Sequence, residues 1–260
     1  MPVLDYAGYC PICEKKVRFV AEESWYRDYL ICPSCRSLPR NRALFYVLNR
    51  EFPNFRELKI HESSPLDYIA RAMFRNSPGY SASHFWSDIP LGTERWGYTC
   101  QDLENLTFPD ESFDLFITMD VMEHILDPIK AFQEIARVLR PGGAHIFTVP
   151  LYNRGATITR AIRKGSNVKL LMPPQYHGNP LGGGSLVTRE WNRESWHPRF
   201  IENIVDFIQK ATGMNTVILD IKDVNLGILG EFTDVIISRE YVSESANLGA
   251  KMGEDFEQHL

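Results

Sequence analysis

Four cysteines in two close pairs constrain the first part of this chain more than any other feature of its sequence. Cys10 and Cys13 form one Cys-x-x-Cys pair, and Cys32 and Cys35 form a second pair after the eighteen intervening residues 14–31. Two such pairs roughly 15–20 residues apart are typical of a zinc ribbon, in which four thiolates bind one ion tetrahedrally. Because four protein ligands leave no open coordination position, the spacing predicts one structural zinc ion within residues 1–37.

Disulfide bonds and thiol redox exchange are the two other chemistries open to these cysteines. The sequence has no apolar run of about 18 residues, and its first residues lack the pattern of a secretory signal. We therefore expect a cytoplasmic protein that does not contact a membrane. A reducing compartment disfavours disulfides, and redox exchange needs one cysteine pair rather than two. Residues 17–21 and 25–31 are expected to form the strands of the ribbon.

Basic residues follow the ribbon in a chain that is acidic as a whole. The 260 residues carry a formal net charge of -5, with 44% hydrophobic and 23% charged residues, so no global positive field would gather nucleic acid. Residues 37–48 predict a helix, with Leu44 and Leu48 on one apolar face, inside a linking region over residues 38–56. Four nearby arginines form either a solvated face or a surface for RNA or another phosphate-bearing substrate: Arg36, Arg40, Arg42 and Arg50.

Strands and helices alternate from residue 57 onwards. The pattern predicts helices over residues 66–74, from Pro128 to about residue 139 with Asp127 as its cap, and over residues 198–211. Predicted strands cover residues 58–62, 80–85, 98–101, 113–118, 144–149, 216–221 and 232–238. This succession predicts an α/β fold with a doubly wound, mainly parallel sheet over residues 57–240. The polar residues 241–260 are expected to form a flexible tail.

Polar side chains stand at the ends of the first four predicted strands, where ligands of such sheets bind. Glu62 ends the first strand, Ser83 or His84 the second, Asp102 the third and Asp120 the fourth. Each of these residues alone also fits a helix cap or a solvated loop position. Together, the carboxylates suit a cofactor with ribose hydroxyls, an amine, an ammonium group and a sulfonium, whereas no glycine-rich dinucleotide or triphosphate loop is present.

Three segments of the chain carry a family resemblance: residues 102–114, 119–124 and 136–143. They resemble class I S-adenosylmethionine (AdoMet)-dependent methyltransferases of the small-molecule type. The resemblance implies a Rossmann-like, seven-stranded sheet with an antiparallel final strand and AdoMet across the strand ends. By position, it implies that the methionine part of AdoMet contacts Glu62, Ser63 and Ser64. It further implies that the adenine contacts Asp102 and Leu103, and that the sulfonium region contacts Asp120 and Val121.

Two departures from the family pattern affect the expected cofactor site. The residues Glu62 to Pro65 replace the usual glycine-rich loop, and Ser83 and His84 stand where the family has a ribose-binding acid. Glycine lets a backbone approach a ligand more closely than serine does. A chain that no longer binds AdoMet therefore stays open as an alternative.

Residues 151–197 are too many for a simple crossover connection and are expected to form a substrate-binding lid, or else a long packed surface loop. Tyr176, Asn179 and Trp191 are the candidate substrate contacts. His177 is the first candidate for a catalytic base and His124 is the second, because imidazole titrates near neutral pH. A helix is expected to carry the basic residues of this segment, which are either solvated or bind an anionic substrate: Arg154, Arg160, Arg163 and Lys164.

These expectations favour AdoMet-dependent methyl transfer to an oxygen or nitrogen of a small-molecule or saccharide-like acceptor. An RNA methyltransferase that uses the ribbon and its arginines is a second hypothesis. A non-catalytic relative, in which the ribbon binds another protein, is a third. Removal of the zinc is expected to unfold about the first forty residues and to leave AdoMet binding partly intact.

Overall fold

The computed structural model describes residues 2–153, 155–193 and 203–240. Arg154 and the expected tail over residues 241–260 lie outside these ranges. The expected helix over residues 198–211 begins outside them and is described only from residue 203. No helix within the described ranges has both the length and the apolar composition needed to span a bilayer.

The cysteine pairs lie in a hairpin and a short helical region at the start of the chain. Strands β1 (Leu4–Cys10) and β2 (Lys15–Ala21) pair in antiparallel fashion. The strand expected over residues 25–31 is wrong, because Tyr26–Tyr29 form a helical turn, α1. The Trp25 indole donates to Asp28 Oδ2 at 2.8 Å, and this contact across three residues favours a turn over an extended strand.

Helix α2 (Pro39–Glu51) confirms the helix expected after the ribbon. Its first turn is held by the Asn41 side chain, whose Oδ1 accepts from the Leu38 backbone N–H at 2.8 Å. Leu44 and Leu48 are buried, as their spacing predicts. Arg42 on the same helix is fully buried as well, which the apolar pattern does not predict.

The central sheet is built from strands β3 to β8 and β16 to β17, with three helices between them. The strands are β3 (Ile60–Ser63), β4 (Tyr80–His84), β5 (Glu94–Arg95), β6 (Tyr98–Cys100), β7 (Phe113–Met119), β8 (Leu139–Thr148), β16 (Asn215–Leu219) and β17 (Val235–Arg239). The helices are α3 (Asp67–Met73), α4 (Pro128–Val138) and α5 (Ile204–Thr212). Asp127 caps α4 as expected, because its Oδ1 accepts from the Lys130 backbone N–H.

The strand order of this sheet confirms the doubly wound, mainly parallel fold. Across the described residues, the order is β16-β17-β8-β7-β3-β4-β6-β5. The five neighbouring strands β8, β7, β3, β4 and β6 run parallel to one another. In contrast, β17 is antiparallel to both β8 and β16. The last strand is therefore inserted in antiparallel direction, as expected, but the short β5 extends the opposite edge, so the described sheet has eight strands and not the expected seven. This is a Rossmann-like arrangement in which the carboxyl ends of β3, β4 and β7 meet at one edge.

Seven short strands lie in the described part of the segment between β8 and α5. They are β9 (Leu151–Tyr152), β10 (Ile158–Thr159), β11 (Ala161–Lys164), β12 (Asn167–Leu170), β13 (Tyr176–Gly178), β14 (Gly184–Leu186) and β15 (Arg189–Asn192). The helix expected to carry Arg160, Arg163 and Lys164 is wrong, because β11 and β12 form a hairpin. Gly165 has φ +62° in the turn of that hairpin, a conformation that glycine adopts without steric cost and that breaks a helix.

One hydrophobic core joins the cysteine-bearing hairpin to the central sheet. Phe19 of β2, Leu44 of α2 and Ile60 of β3 are buried in the same cluster as two of the cysteines, Cys10 and Cys32. The hairpin therefore packs against the sheet and α2 as part of the same folded body.

Candidate active site and cysteine cluster

The four paired cysteines meet in one cluster. The Sγ atoms of Cys10 and Cys35 are 3.6 Å apart, those of Cys13 and Cys32 are 3.8 Å apart, and all four lie within 4.8 Å of one another. Thiolates about 2.3 Å from a tetrahedral zinc ion are roughly 3.8 Å apart, so the donor set and its spacing fit zinc. The cysteines of the described chain form no disulfide, and Cys100 is buried away from the cluster.

A cavity of about 1200 Å³ lies at the carboxyl ends of β3, β4 and β7. Four parts of the chain build its wall: the region around α1 and α2, the strand ends with the residues that follow them, the β9–β15 segment, and the residues just before β17. The polar lining residues include Arg27, Arg40, Asn41, Glu62, Ser64, His84, Asp120, His124, Gln175, His177, Asn179, Ser185, Thr188 and Glu231.

Several of the expected cofactor residues line this cavity. They are Glu62, Ser64, His84, Asp120 and Val121. Ser64 has φ +56°, so a serine makes the left-handed turn for which the family pattern has glycine. The first departure from the family pattern therefore does not prevent the loop from turning at the end of β3.

Glu62 is a buried carboxyl group at the end of β3. Its side chain accepts a hydrogen bond from the Tyr80 hydroxyl at 2.8 Å. Burial raises the pKa of Glu62 to about 7, and the Tyr80 hydrogen bond opposes this shift only in part. A cationic ligand beside Glu62 would favour the ionised form, because it would supply the charge that burial removes.

Asp120 at the end of β7 has the opposite electrostatic environment. Arg27 Nη2 and Arg40 Nε contact its Oδ2 at 2.5 and 2.9 Å, and the Thr148 hydroxyl donates to its Oδ1 at 3.0 Å. Burial alone would raise the pKa of Asp120, but these two guanidinium groups and the hydroxyl hold it below its usual value. Asp120 is thus an ionised carboxylate with φ +53°, fixed in the cavity wall.

Arg27 is a cavity residue that the sequence does not single out. It lies in α1, where we expected a strand, and it also donates to the Phe232 carbonyl oxygen at 3.1 Å. Its pairing with Asp120 joins the hairpin region to the sheet edge. The sequence gives no signal for this contact, because Arg27 and Asp120 are 93 positions apart and come together only in the folded chain.

The other expected cofactor residues lie beside the cavity or away from its lining. Ser63 is buried in β3, and the Ser83 hydroxyl contacts His61 Nε2 at 2.9 Å inside the sheet. Burial lowers the pKa of His61 to about 3, so this imidazole is neutral. Asp102 Oδ1 accepts from the Glu104 backbone N–H at 2.9 Å, and Leu103 is buried in the second core cluster.

The expected substrate residues separate into three environments. Asn179 lines the cavity and donates to Ser185 Oγ at 3.0 Å across the β13–β14 hairpin. Tyr176 of β13 is 61% exposed and does not line the cavity. Trp191 is fully buried, with its ring packed against Phe132 and Phe207, so the expectation of a substrate contact is wrong for this residue. Its large apolar ring fills the core under β15 instead.

Both candidate catalytic histidines line the cavity and lie close to each other. The ring centroids of His124 and His177 are 5.3 Å apart. His124 Nδ1 lies 2.9 Å from the Leu186 carbonyl oxygen, to which it donates. Glu123, which precedes His124 in the short helical turn Met122–His124, faces both imidazoles. The sequence drew attention to the two histidines but not to this carboxylate.

Arg40 and Arg42, two of the four arginines after the ribbon, do not lie on an exposed basic face of the kind that the RNA hypothesis needs, whereas Arg36 and Arg50 are exposed. Arg42 donates to the carbonyl oxygens of Ser37, Leu30 and Gly227 from a fully buried position. Arg40 pairs with Asp28 and Asp120. Two basic residues of this segment are also paired within the chain, Arg160 with Glu190 and Arg163 with Glu104.

Comparison with known proteins finds similarity over part of this region. Residues 87–147 match the methyltransferase domain family. This methyltransferase segment runs from before β5 into β8 and includes Asp102, Asp120 and His124. The chain is also 37% identical over 51 residues to a ubiquinone biosynthesis O-methyltransferase of Coxiella burnetii, which is 20% of this chain and 22% of that protein.

One further curated protein and one solved structure are also similar to this chain. An uncharacterized methyltransferase of Schizosaccharomyces pombe is 32% identical over 93 residues, 33% of this chain and 31% of that protein. The solved structure of an S-adenosylmethionine-dependent methyltransferase from Mesorhizobium loti is 13% identical with a TM-score of 0.48, and covers 76% of this chain and 98% of that one. The sequence matches thus span less than a third of each curated relative named here.

Proposed function

We propose that the chain is an AdoMet-dependent methyltransferase that acts on an oxygen or nitrogen of a small-molecule or saccharide-like acceptor. The observation that carries the proposal is the cavity at the carboxyl ends of β3, β4 and β7, with Asp120 and Val121 of the methyltransferase segment in its wall. Ligands of Rossmann-like sheets bind at this edge. Pockets for one small ligand measure about 300–1000 Å³, so this cavity has room for a cofactor beside an acceptor.

AdoMet fits the charges of this cavity. Its ammonium group would lie near Glu62 and Ser64, where it would compensate the buried carboxyl group. The sulfonium would lie above Asp120 and Val121, and His84 would meet the ribose in place of the family's acid. Asp102 and Leu103 remain our proposed adenine contacts, which requires the adenine to extend past the cavity lining towards the loop after β6.

Methyl transfer needs alignment and removal of one proton. A lone pair of the acceptor oxygen or nitrogen forms the bond to the methyl carbon while the carbon–sulfur bond breaks and its electron pair goes to sulfur. The acceptor proton passes to a base, for which His177 is our first candidate and His124 the second. The Nδ1–H of His124 is held by the Leu186 carbonyl, so its Nε2 is the nitrogen that would accept a proton.

The cysteine cluster is proposed to bind one structural zinc ion. Four thiolates at tetrahedral spacing leave no position for a substrate. The cluster would then hold the hairpin and α2 in place, and through them Arg27 and Arg40 beside Asp120.

Calorimetric titration of the full chain with AdoMet and with S-adenosylhomocysteine tests the proposed function. We expect one ligand per chain, with Glu62→Gln binding AdoMet about tenfold more weakly because it lacks the compensating charge. Glu57→Gln is the matched control, since Glu57 is exposed and outside the cavity lining. Absence of binding at millimolar AdoMet would overturn the enzymatic proposal in favour of a non-catalytic role.

A further inference from the structure

Glu123, His124 and His177 form a second cluster of metal-ligating side chains apart from the cysteines, in which the two histidines line the cavity and Glu123 is buried beside them. One ligand atom from each lies within 4.8 Å of the others. Glu123 Oε1 is 3.8 Å from His124 Nε2 and 3.7 Å from His177 Nδ1. Nitrogen and oxygen ligands about 2.1 Å from a shared ion lie roughly 3.0–3.6 Å apart, so a shift of a few tenths of an ångström brings these atoms into coordination.

The Glu123 carboxylate lacks the partners that a buried charge requires. Glu123 is 1% exposed, and neither of its oxygens has a hydrogen-bond partner among the described residues. An ionised carboxylate taken out of water without compensation costs several kcal/mol. The two arginines that line the cavity, Arg27 and Arg40, contact Asp120 instead. Among the described residues, no arginine or lysine pairs with Glu123.

The orientation of His124 points to a cation between the two residues. A carbonyl oxygen only accepts, so the 2.9 Å contact with Leu186 requires the proton of His124 on Nδ1. In this tautomer Nε2 faces Glu123 Oε1 at 3.8 Å. A metal cation between these two atoms would bind the lone pairs of both. Metal-binding histidines commonly donate their second N–H to a backbone carbonyl in this way.

We propose that Glu123, His124 and His177 bind one divalent transition-metal ion, such as zinc or manganese. One carboxylate and two imidazoles suit such ions, and three protein ligands leave coordination positions open towards the cavity. The open positions would take oxygen atoms of the acceptor. The substrate class would then be a molecule with two neighbouring oxygens, such as a vicinal diol or a catechol, that chelate the ion.

This assignment rests on the proposed function and changes the expected role of the two histidines. As ligands, they no longer accept the acceptor's proton directly. An oxygen bound to a divalent cation is more acidic, so the acceptor hydroxyl releases its proton to water. That oxygen then forms the bond to the methyl carbon, and the electron pair of the broken carbon–sulfur bond goes to sulfur.

Manganese titration of the zinc-containing full chain, followed by electron paramagnetic resonance in the absence of AdoMet, tests the site. Manganese prefers oxygen and imidazole ligands to four thiolates, so the cysteine cluster does not compete for it. We expect one bound Mn²⁺ per chain. Glu123→Gln and His177→Gln should each weaken binding by at least about tenfold.

Glu231→Gln is the matched control because Glu231 is an exposed carboxylate elsewhere in the cavity lining. It should bind Mn²⁺ like the unmodified chain. Circular dichroism and one zinc per chain in each variant establish that the fold is intact, and His177→Gln decides the test if Glu123→Gln does not fold. His177 is in the β13–β14 hairpin, outside the core.

No Mn²⁺ or additional Zn²⁺ bound at millimolar metal would overturn the site, as would equal affinities in His177→Gln and Glu231→Gln. An AdoMet titration of the same preparation separates the two proposals. AdoMet binding without metal binding overturns the metal site alone, whereas metal binding without AdoMet binding overturns the methyltransferase proposal.

Discussion

Two carboxyl groups at neighbouring strand ends have opposite protonation behaviour because their neighbours differ. Glu62 is buried beside the Tyr80 hydroxyl, and burial raises its pKa to about 7. Asp120 is only 17% exposed, but Arg27 and Arg40 outweigh its burial and lower its pKa. Near neutral pH the charge of Asp120 is therefore fixed, whereas the charge of Glu62 depends on the ligand.

Substitution of Glu62 by glutamine should make the protein less sensitive to pH. The folded-state pKa of about 7 lies above the unfolded value near 4.5, so the folded state holds the extra proton and loses stability as pH rises through this interval. In urea denaturation without ligand, Glu62→Gln should gain stability relative to the unmodified chain between pH 5 and pH 8. The gain has an upper limit of about 3 kcal/mol. Parallel stability curves for the two proteins would contradict the raised pKa.

Substitution of Arg42 by lysine should destabilise the fold strongly. The guanidinium donates to three buried backbone carbonyls and lies 4.8 Å from the Phe19 ring centroid, which an ammonium group cannot reproduce. We expect a loss of about 3 kcal/mol in the free energy of unfolding. Arg50→Lys, at an exposed pair with Glu51, should change it by less than about 0.5 kcal/mol. Similar effects of both substitutions would show that the Arg42 contacts contribute little.

At the scale of elements, segments with strong hydrophobic periodicity were predicted well, whereas short paired strands were not. The buried run of β7 and the capped, amphipathic α4 were predicted almost to the residue. β1 was missed and α1 was predicted as a strand, because the cysteine cluster and the core against α2 fix these short segments more than their own pattern does. The β9–β15 strands depend on pairing between residues far apart, which local pattern does not contain.

The contribution of local sequence signals to α4 can be tested at its cap, Asp127. Asp127→Ala removes the acceptor for the Lys130 backbone N–H and should cost about 1 kcal/mol in the free energy of unfolding. Asp127→Asn keeps a side-chain oxygen at the same position and should retain most of that stability. Equal losses in the two variants, measured by urea denaturation, would show that the capping bond is not the stabilising contact.

At the scale of the whole molecule, the cavity wall depends on the cysteine-bearing region. The sequence predicted a metal site at the four cysteines and a ligand site at four strand ends. Of the strand-end residues, Glu62, His84 and Asp120 line the cavity. It did not predict that Arg27 and Arg40 complete the wall, because this requires the hairpin and α2 to pack against the sheet. Loss of zinc is therefore expected to disturb the cavity wall and to weaken AdoMet binding more than the sequence alone predicted.

Cys32→Ser should lower both the zinc content and the affinity for AdoMet. Without the ion, Arg27 and Arg40 are no longer fixed beside Asp120, and a loss of about 1.4 kcal/mol in binding corresponds to a tenfold higher Kd. Cys100→Ser is the matched control, since Cys100 is buried outside the cluster. Zinc analysis and calorimetry check both variants. Unchanged AdoMet affinity in zinc-free Cys32→Ser would show that the wall forms without the metal.

The hydrogen bond from Arg27 to the Phe232 carbonyl joins residues 205 positions apart, and Arg42 reaches Gly227 across 185 positions. Contacts of such sequence separation require closure of nearly the whole chain and slow folding. On a ribosome, the cavity wall cannot close until residues beyond 232 have emerged. In refolding experiments, ligand binding should therefore return with the slowest kinetic phase, after the hairpin and most of the central sheet have formed.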